Sequence, residues 1–367
     1  MNIQCNQQNL MEAVLNVQRA VSTRTTIPTL EGILLKAEKN NLYLYGYDLE
    51  LGITTHINAK ILEEGKIVLN AKLFSEIIRK LPNENVQLIV EKDLTVIITC
   101  GNSKFSITGL DGDEYPTLPD INSNTSMKLP SNILKSMIKQ TIFSVSTDTI
   151  KPIYTGTLFE VTSNEIKLIS VDGCRLAMRC EPISANLDDD YSFVVPSKAL
   201  NEVLKILTDD TTVTVLLDSK YVIFEVDSYR FISRLLQGDF LDYNSSIPTT
   251  CSTELTISTK SLISSIERVS LIITEKLKTP VRAIFSRSTL KLSCSTSVGM
   301  ATDELNIETY GDPVETGFND KYFLEALKNA ETDEVKIQLN GSLSPIKIVP
   351  KDGNSFLFLV LPVRFKN

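Results

Sequence analysis

One ten-residue figure occurs three times in this chain, and its recurrence constrains the architecture more than anything else in the sequence. Read as a helix, residues 72–81 gather Leu73, Phe74, Ile77, Ile78 and Leu81 on one face and Lys72, Glu76 and Arg79 on the other. Residues 198–207 repeat this with Ala199, Leu200, Val203, Leu204 and Leu207 against Lys198, Glu202 and Lys205. Residues 321–330 do so with Tyr322, Phe323, Ala326, Leu327 and Ala330 against Lys321, Glu325 and Lys328. The first lysines stand 126 and 123 residues apart, the length of a whole domain rather than of a solenoid repeat. The chain reads as three related domains, 1–120, 121–253 and 254–367, with boundaries in the polar stretches 117–130 and 248–256.

Each repeat opens with a second helical pattern, marked by Leu10, Val14 and Val17, then Ile133, Met137 and Gln140, then Leu262, Ile266 and Val269. A proline follows in every copy (Pro28, Pro152, Pro280) and leads into apolar strands expected at 30–36, 154–161 and 281–286. Alternating segments then predict further strands: 41–45 and 165–170 before the organising helix, and 86–90, 94–99 and 104–108 after its first copy. The later copies repeat these at 212–217, 221–226 and 230–235, and at 334–339, 346–349 and 356–361. The fold class expected is α+β: three repeats, each with two helices packed on antiparallel sheet.

Catalytic signals are sparse. A single histidine, His56, excludes most acid–base constellations, and no Gly-rich loop precedes a Lys-Ser/Thr pair. Six scattered cysteines form no CxxC pair, so neither a zinc site nor a disulfide framework is expected, and no cofactor. Cys174 beside Arg175 reads as a turn residue rather than an activated thiolate, and the acidic runs 111–114 and 188–190 read as solvated loops. No apolar run is long enough for a membrane span and the start lacks a signal-peptide pattern, so a cytoplasmic location is expected.

The balance of 37 basic and 45 acidic residues, net −8, argues against nucleic acid binding over the whole surface but leaves room for a local basic lining. Three related domains aiming equivalent cationic helix faces at a common centre would make such a lining. Duplex DNA, with a phosphate charge about every 1.7 Å of axis, is its natural polyanion. No stacking motif or recognition helix points to base reading. The competing readings are a protein-binding scaffold whose helix faces are merely solvated, and an enzyme using Cys174 or a carboxylate.

Four segments make the reading specific: 170–177 (SVDGCRLA), 240–243 (FLDY), Phe318-Asn319 with Tyr322, and the ending 360–364 (VLPVR). With the threefold repeat they resemble, in order and spacing, the bacterial DNA polymerase sliding clamps, the beta subunits of the replicative polymerase. The resemblance implies two chains closed head to tail into a ring of six domains. Twelve helices would line its hole, and strands would continue across the subunit boundaries. It implies a non-enzymatic processivity factor around duplex DNA, with replicative and repair polymerases and the clamp loader as partners. Arg24, Lys72, Arg79, Lys80, Lys135, Lys139, Lys198, Lys205, Arg268, Lys321 and Lys328 would face DNA.

The same resemblance implies a partner-peptide groove at Tyr154, Val171, Gly173, Cys174, Arg175, Leu176, Leu241, Ser245, Ser246, Asn319, Tyr322, Leu343, Val360, Leu361, Pro362, Val363 and Arg364. Arg175 and Arg364 are expected at its rim. It also implies a subunit joint between Lys104, Phe105 and Ile107 of one chain and Leu271 and Ile272 of the next. Three features depart from the family pattern. Cys174 stands where many members have histidine, Ser245 and Ser246 stand where a basic and an apolar residue are common, and residues 365–367 run past the usual end.

Overall fold

The protein is described by a computed structural model covering residues 1–22, 24–119, 125–185, 187, 189–274 and 279–365. Within it are six helices: α1 (Gln7–Val17), α2 (Ala71–Lys80), α3 (Ser131–Ile142), α4 (Ser197–Leu204), α5 (Thr259–Ser270) and α6 (Asp320–Lys328). They are the six that the periodicity predicts. Each follows a strand directly, and where the turn-in is visible an Asn or Ser caps the first turn. Asn6 accepts from the N–H groups of Gln8 and Asn9, Asn70 from Leu73, Ser258 from Ser261 and Asn319 from Tyr322.

The buried faces differ from expectation in two places. Leu73 is exposed, because the core-facing arc of α2 is filled by Phe74, Ile77 and Ile78 together with Ala71 and Ser75. In α3 the core takes Leu134 and Ile138 beside Met137 and Gln140, leaving Ile133 half-buried. That shift brings α3 into the register of α1, whose buried residues are Leu10, Ala13, Val14 and Val17. Pro280 leads directly into the strand Val281–Phe285, but the other two prolines do not. Pro28 and Pro152 begin short 3-10 turns, Pro28–Glu31 and Pro152–Thr155, whose first position tolerates a missing N–H. The strands start only at Gly32 and Gly156, so Leu30 and Tyr154 lie before them.

Every strand pairing is antiparallel, and the contacts divide the chain into two compact units: Met1–Asn132 with Asn201–Leu235, and Ile133–Leu200 with Leu236–Asn367. Each unit contains a nine-stranded sheet that runs from one repeat into the next. In the first unit Leu51–Asn58 pairs with Tyr229–Arg234, placing Gly52 opposite Ile232 and Thr54 opposite Arg230. In the second, Arg175–Pro182 pairs with Phe356–Val360, placing Leu176 opposite Leu359 and Ala177 opposite Phe358. A smaller sheet completes each unit. One has five strands and ends on Ser103–Thr108, and the other has four and ends on Met300–Asn306.

In the first unit α1 lies on α2 and on the strands Asn41–Tyr47 and Leu51–Asn58. The buried Gln7 amide donates to the Ile78 carbonyl at 2.7 Å, tying the two helices. Gly46 permits this packing, since a Cβ there would fall 2.2 Å from the Val17 carbonyl oxygen. In the second unit α5 lies on α6 and on Thr289–Ser295 and Met300–Asn306. The expected boundary at 120/121 falls outside the described residues.

The turn that follows the second sheet strand recurs in detail. Asp48 Oδ1 accepts from the N–H groups of Glu50 and Leu51 at 3.0 and 2.7 Å, and Asp172 Oδ1 from those of Cys174 and Arg175 at 2.9 and 3.1 Å. The residue after each aspartate is left-handed: Gly173 at φ +86° and Leu49 at φ +75°. Leucine is strained there, and at 45% exposure it has little packing to lose. Leu49→Gly should therefore stabilise the protein by about 0.5–1 kcal/mol, the left-handed cost less the freedom added to the unfolded chain. A urea midpoint that stays put or falls would show that the packing of the leucine outweighs its strain.

Candidate functional site

The turn at Asp172 organises one site in the second unit. Arg175 donates from Nε to Asp172 Oδ2 at 2.8 Å and from Nη1 to Glu325 Oε2 on α6. Its guanidinium lies 4.5 Å over the Tyr322 ring and 5.6 Å from that of Phe143. The side chain is only 9% exposed. Burying a cation is tolerable only with such pairing and stacking. Arg175 is thus an inward structural cation rather than the rim charge expected of it, because two carboxylates and two rings outcompete water for it. Arg364 is exposed.

The chain end completes the site. Phe356–Val360 is buried throughout, and regular pairing stops there as the proline predicts. Leu361 N–H still donates to the Cys174 carbonyl at 2.9 Å, Pro362 has no donor, and Val363 N–H donates to the Gly317 carbonyl at 2.8 Å. The tail therefore passes from one sheet to the strand Val314–Phe318 of the other. Leu361 and Val363 stay 42% and 37% exposed, and Leu241 and Leu343 are exposed as well. Unpartnered apolar side chains held on a fixed backbone are what a docking groove requires.

Val171 and Leu176 lie beneath, in one apolar cluster with Ile153, Tyr243 and Leu359. Tyr154 and Phe240 pack on it with their rings edge to face at 5.5 Å. The Tyr243 hydroxyl donates to Glu160 at 2.6 Å; burial first, and that carboxylate second, push its pKa well up. Leu343 sits apart from this floor, in a hollow of 480 Å³ shared with residues 362–365 and Glu315–Gly317. Asn319 faces the site's edge as the cap of α6. Ser245 and Ser246 are exposed, and Ser245 donates to the Asp242 carbonyl in the turn Asn244–Ser246. Sequence reasoning missed Phe143, Glu160 and Glu325 as parts of this site. Only Glu325, through its place in the repeat, carried any signal.

Cys174 is exposed, yet partial desolvation and then the Asp172 carboxylate push its thiol up, against the opposing pull of Arg175. A thiol held protonated is a poor nucleophile. Among the described residues no cluster of His, Cys, Asp and Glu could hold a metal ion, and no helix is long and apolar enough to cross a membrane. Of the acidic runs, Asp113 pairs with Lys66, while Asp188 lies outside the described residues.

The helix cations are exposed except Lys135, which is half-buried. Arg24 is exposed in the segment after α1. Some cations are paired: Lys205 with Glu202 and Lys328 with Glu267, both at 2.7 Å, and Arg268 with Asp303 at 3.1 Å from Nε. Such exposed pairs are worth at most about 1 kcal/mol each and yield readily to phosphate. Arg24, Lys72, Arg79, Lys80, Lys139 and Lys321 make no ion pair among the described residues. The solvated-face reading, with each helix acid neutralising its neighbours, fails for α6, where Glu325 is committed to Arg175.

Comparison with known proteins covers nearly the whole chain. Three family models match: the N-terminal domain of the DNA polymerase III beta subunit over residues 1–119, its central domain over 128–242 and its C-terminal domain over 244–364. The beta sliding clamp of Bacillus subtilis is 35% identical over 97% of both chains, and that of Staphylococcus epidermidis 34% over 94% of both. The crystal structure of the Bacillus subtilis DNA polymerase sliding clamp superposes with a TM-score of 0.97 at 33% identity over the full length of both chains. That of the beta subunit from Streptococcus pyogenes superposes with 0.95 at 28% identity.

Proposed function

The chain belongs to the DNA polymerase III beta subunit family, the sliding clamps of DNA replication, and from that premise we propose how its parts divide the work. It is a DNA sliding clamp, a processivity factor and not an enzyme. The observation that carries the detailed reading is a junction made twice and left open once. Leu51–Asn58 with Tyr229–Arg234, and Arg175–Pro182 with Phe356–Val360, join successive repeats by the same antiparallel pairing. The corresponding third pair would be Met300–Asn306 with Ser103–Thr108, and each of these ends its own sheet. An unpaired edge is a template for another chain. A second copy would satisfy both edges by pairing head to tail, closing the ring without a strand left over.

The cationic helices then face duplex DNA and hold it weakly, through phosphates that carry no base identity. Topology prevents escape while the contact stays loose enough to slide. The excess of acidic residues elsewhere discourages DNA from binding outside. The groove of the second unit takes short extended peptides from replicative and repair polymerases and from the clamp loader, which supplies the ATP chemistry that this chain lacks. The protein works in the cytoplasm, where its DNA is.

Replacing Arg24, Arg79 and Lys321 together by alanine tests the lining. Retention on circular DNA and polymerase processivity should fall on every sequence alike. The salt dependence of DNA binding should flatten by roughly 0.9 units of logarithmic slope for every phosphate left without its cation. A fall confined to particular sequences, or an unchanged slope, would exclude the sequence-independent role.

A further inference from the structure

Aligned on their turns, the three repeats place Leu51, Arg175 and Gly299 in one position. The carbonyl of each accepts from the first residue of its turn, Asp48, Asp172 or Thr296, at 3.1, 3.3 and 2.9 Å. The organising helices likewise place Glu76, Glu202 and Glu325 in one position. In the first unit Glu202 is approached at 3.9 Å by Nε of Arg19, from the end of α1, while Leu51 is buried. Leu51 offers that acid no charge to pair with. In the second unit the cation sits on the turn itself. Phe143, which takes Arg19's place in the shared register of α1 and α3, supplies only a ring for it to lie against. Of the three, only Arg175 has a side chain that can pair with a helix glutamate, and it does so with Glu325.

The two ends of that tie face different partners. Asp172 and Arg175 fix the turn whose Cys174 carbonyl holds Leu361, in the groove. Glu325 sits on α6 four residues after Lys321 and three before Lys328. We propose that Arg175 couples the peptide groove to the DNA-facing helix α6, so that duplex DNA on α6 and a peptide in the groove each tighten binding of the other. The proposal rests on the assignment of groove and lining given above.

The sign follows from charge. The Glu325 carboxylate is paired with Arg175, and Lys321, four residues before it on the same helix, is the cation that competes for it. Phosphate engaging Lys321 withdraws that competitor and repels the carboxylate, holding it on Arg175. The guanidinium is then held against Asp172 and Tyr322, and a peptide meets a groove already set, so less ordering opposes its binding. Coupling between sites is reciprocal, so the peptide must return the effect on DNA.

The test uses the full-length protein, a short duplex and a fluorescent extended peptide bearing two large apolar anchors and one polar residue. In the unaltered protein, saturating duplex should tighten the peptide about fivefold, the low end of ordinary coupling. Glu325→Gln should abolish the gain, and so should Arg175→Lys, which keeps a charge but cannot span both carboxylates. Glu202→Gln removes the same charge from the same helix position but touches no groove, and should keep the gain. The coupling is refuted if the unaltered protein shows no gain, if Glu325→Gln retains it, or if both glutamate variants lose it alike. A peptide that fails to bind the unaltered protein with or without duplex would remove the groove assignment itself, and the coupling with it.

Discussion

A chain ending at Val360 should fold, dimerise and retain circular DNA, yet bind partner peptides at least about a hundredfold more weakly. The reasoning starts from what the tail does for the fold. The strand Phe356–Val360 is buried to its last residue and keeps its pairing with Arg175–Pro182 and with Ile346–Pro350. Beyond it, two backbone hydrogen bonds, Leu361 to Cys174 and Val363 to Gly317, anchor a segment whose apolar side chains stay only partly covered. Their loss should cost the fold about 1 kcal/mol per bond.

For a bound peptide the same residues form a wall. Covering apolar area is worth about 25 cal/mol per Å², so losing Leu361, Pro362 and Val363 together removes roughly 3 kcal/mol, or two decades of affinity. Calorimetry with a polymerase-derived peptide and a thermal melt of the same sample decide the matter. A truncated protein that unfolds would make the tail a structural strap, and one that keeps full affinity would move the groove elsewhere.

What the sequence disclosed depended on how far apart the cooperating residues lie. The helices were legible because their pattern closes within ten residues, and the threefold repetition of Lys, Glu and Lys/Arg made one reading support the next. The alternating strands were legible for the same reason, from Asn41–Tyr47 to Glu334–Leu339. Strands running straight into helices, such as Gly65–Asn70 and Thr253–Ser258, carry too few apolar residues in alternation to announce themselves. Leu73 was misplaced because it lies about 40° beyond Ile77, the last buried residue on that side of α2. Arg175 was misread because its decisive partner, Glu325, is 150 residues away. No local pattern distinguishes a rim cation from one that a distant helix will claim. The proposed groove was legible only through resemblance: the exposed Leu241, Leu343, Leu361 and Val363 would each pass for ordinary surface residues on spacing alone.

Replacing Leu271 and Ile272 by alanine should split the ring into monomers at low micromolar concentration. Leu271 is 82% exposed immediately after α5, and Ile272 beside it is half-buried. So large an apolar side chain held in water at a helix end is a cost the isolated chain does not need to bear. Val298 and Met300 are also exposed on this side of the second unit, at the turn into the edge strand Met300–Asn306. The complementary patch belongs to the first unit, where the edge strand Ser103–Thr108 carries an exposed Phe105 and Lys104 and a half-buried Ile107. Glu304, exposed on one edge, suits Lys104 on the other, which favours the head-to-tail register over pairing of like edges.

Burying Leu271 and Ile272 is worth about 1.5–3 kcal/mol each. A two-membered ring contains the joint twice, so the double substitution acts twice and should weaken dimerisation by several decades at about 1.4 kcal/mol per decade. The monomer should melt cooperatively near the parent temperature, since neither side chain contributes much to its own unit's core. Sedimentation at matched concentrations reads the outcome. A dimer of unchanged mass would place the joint on another surface, leaving the two unpaired edges without the partner assigned to them.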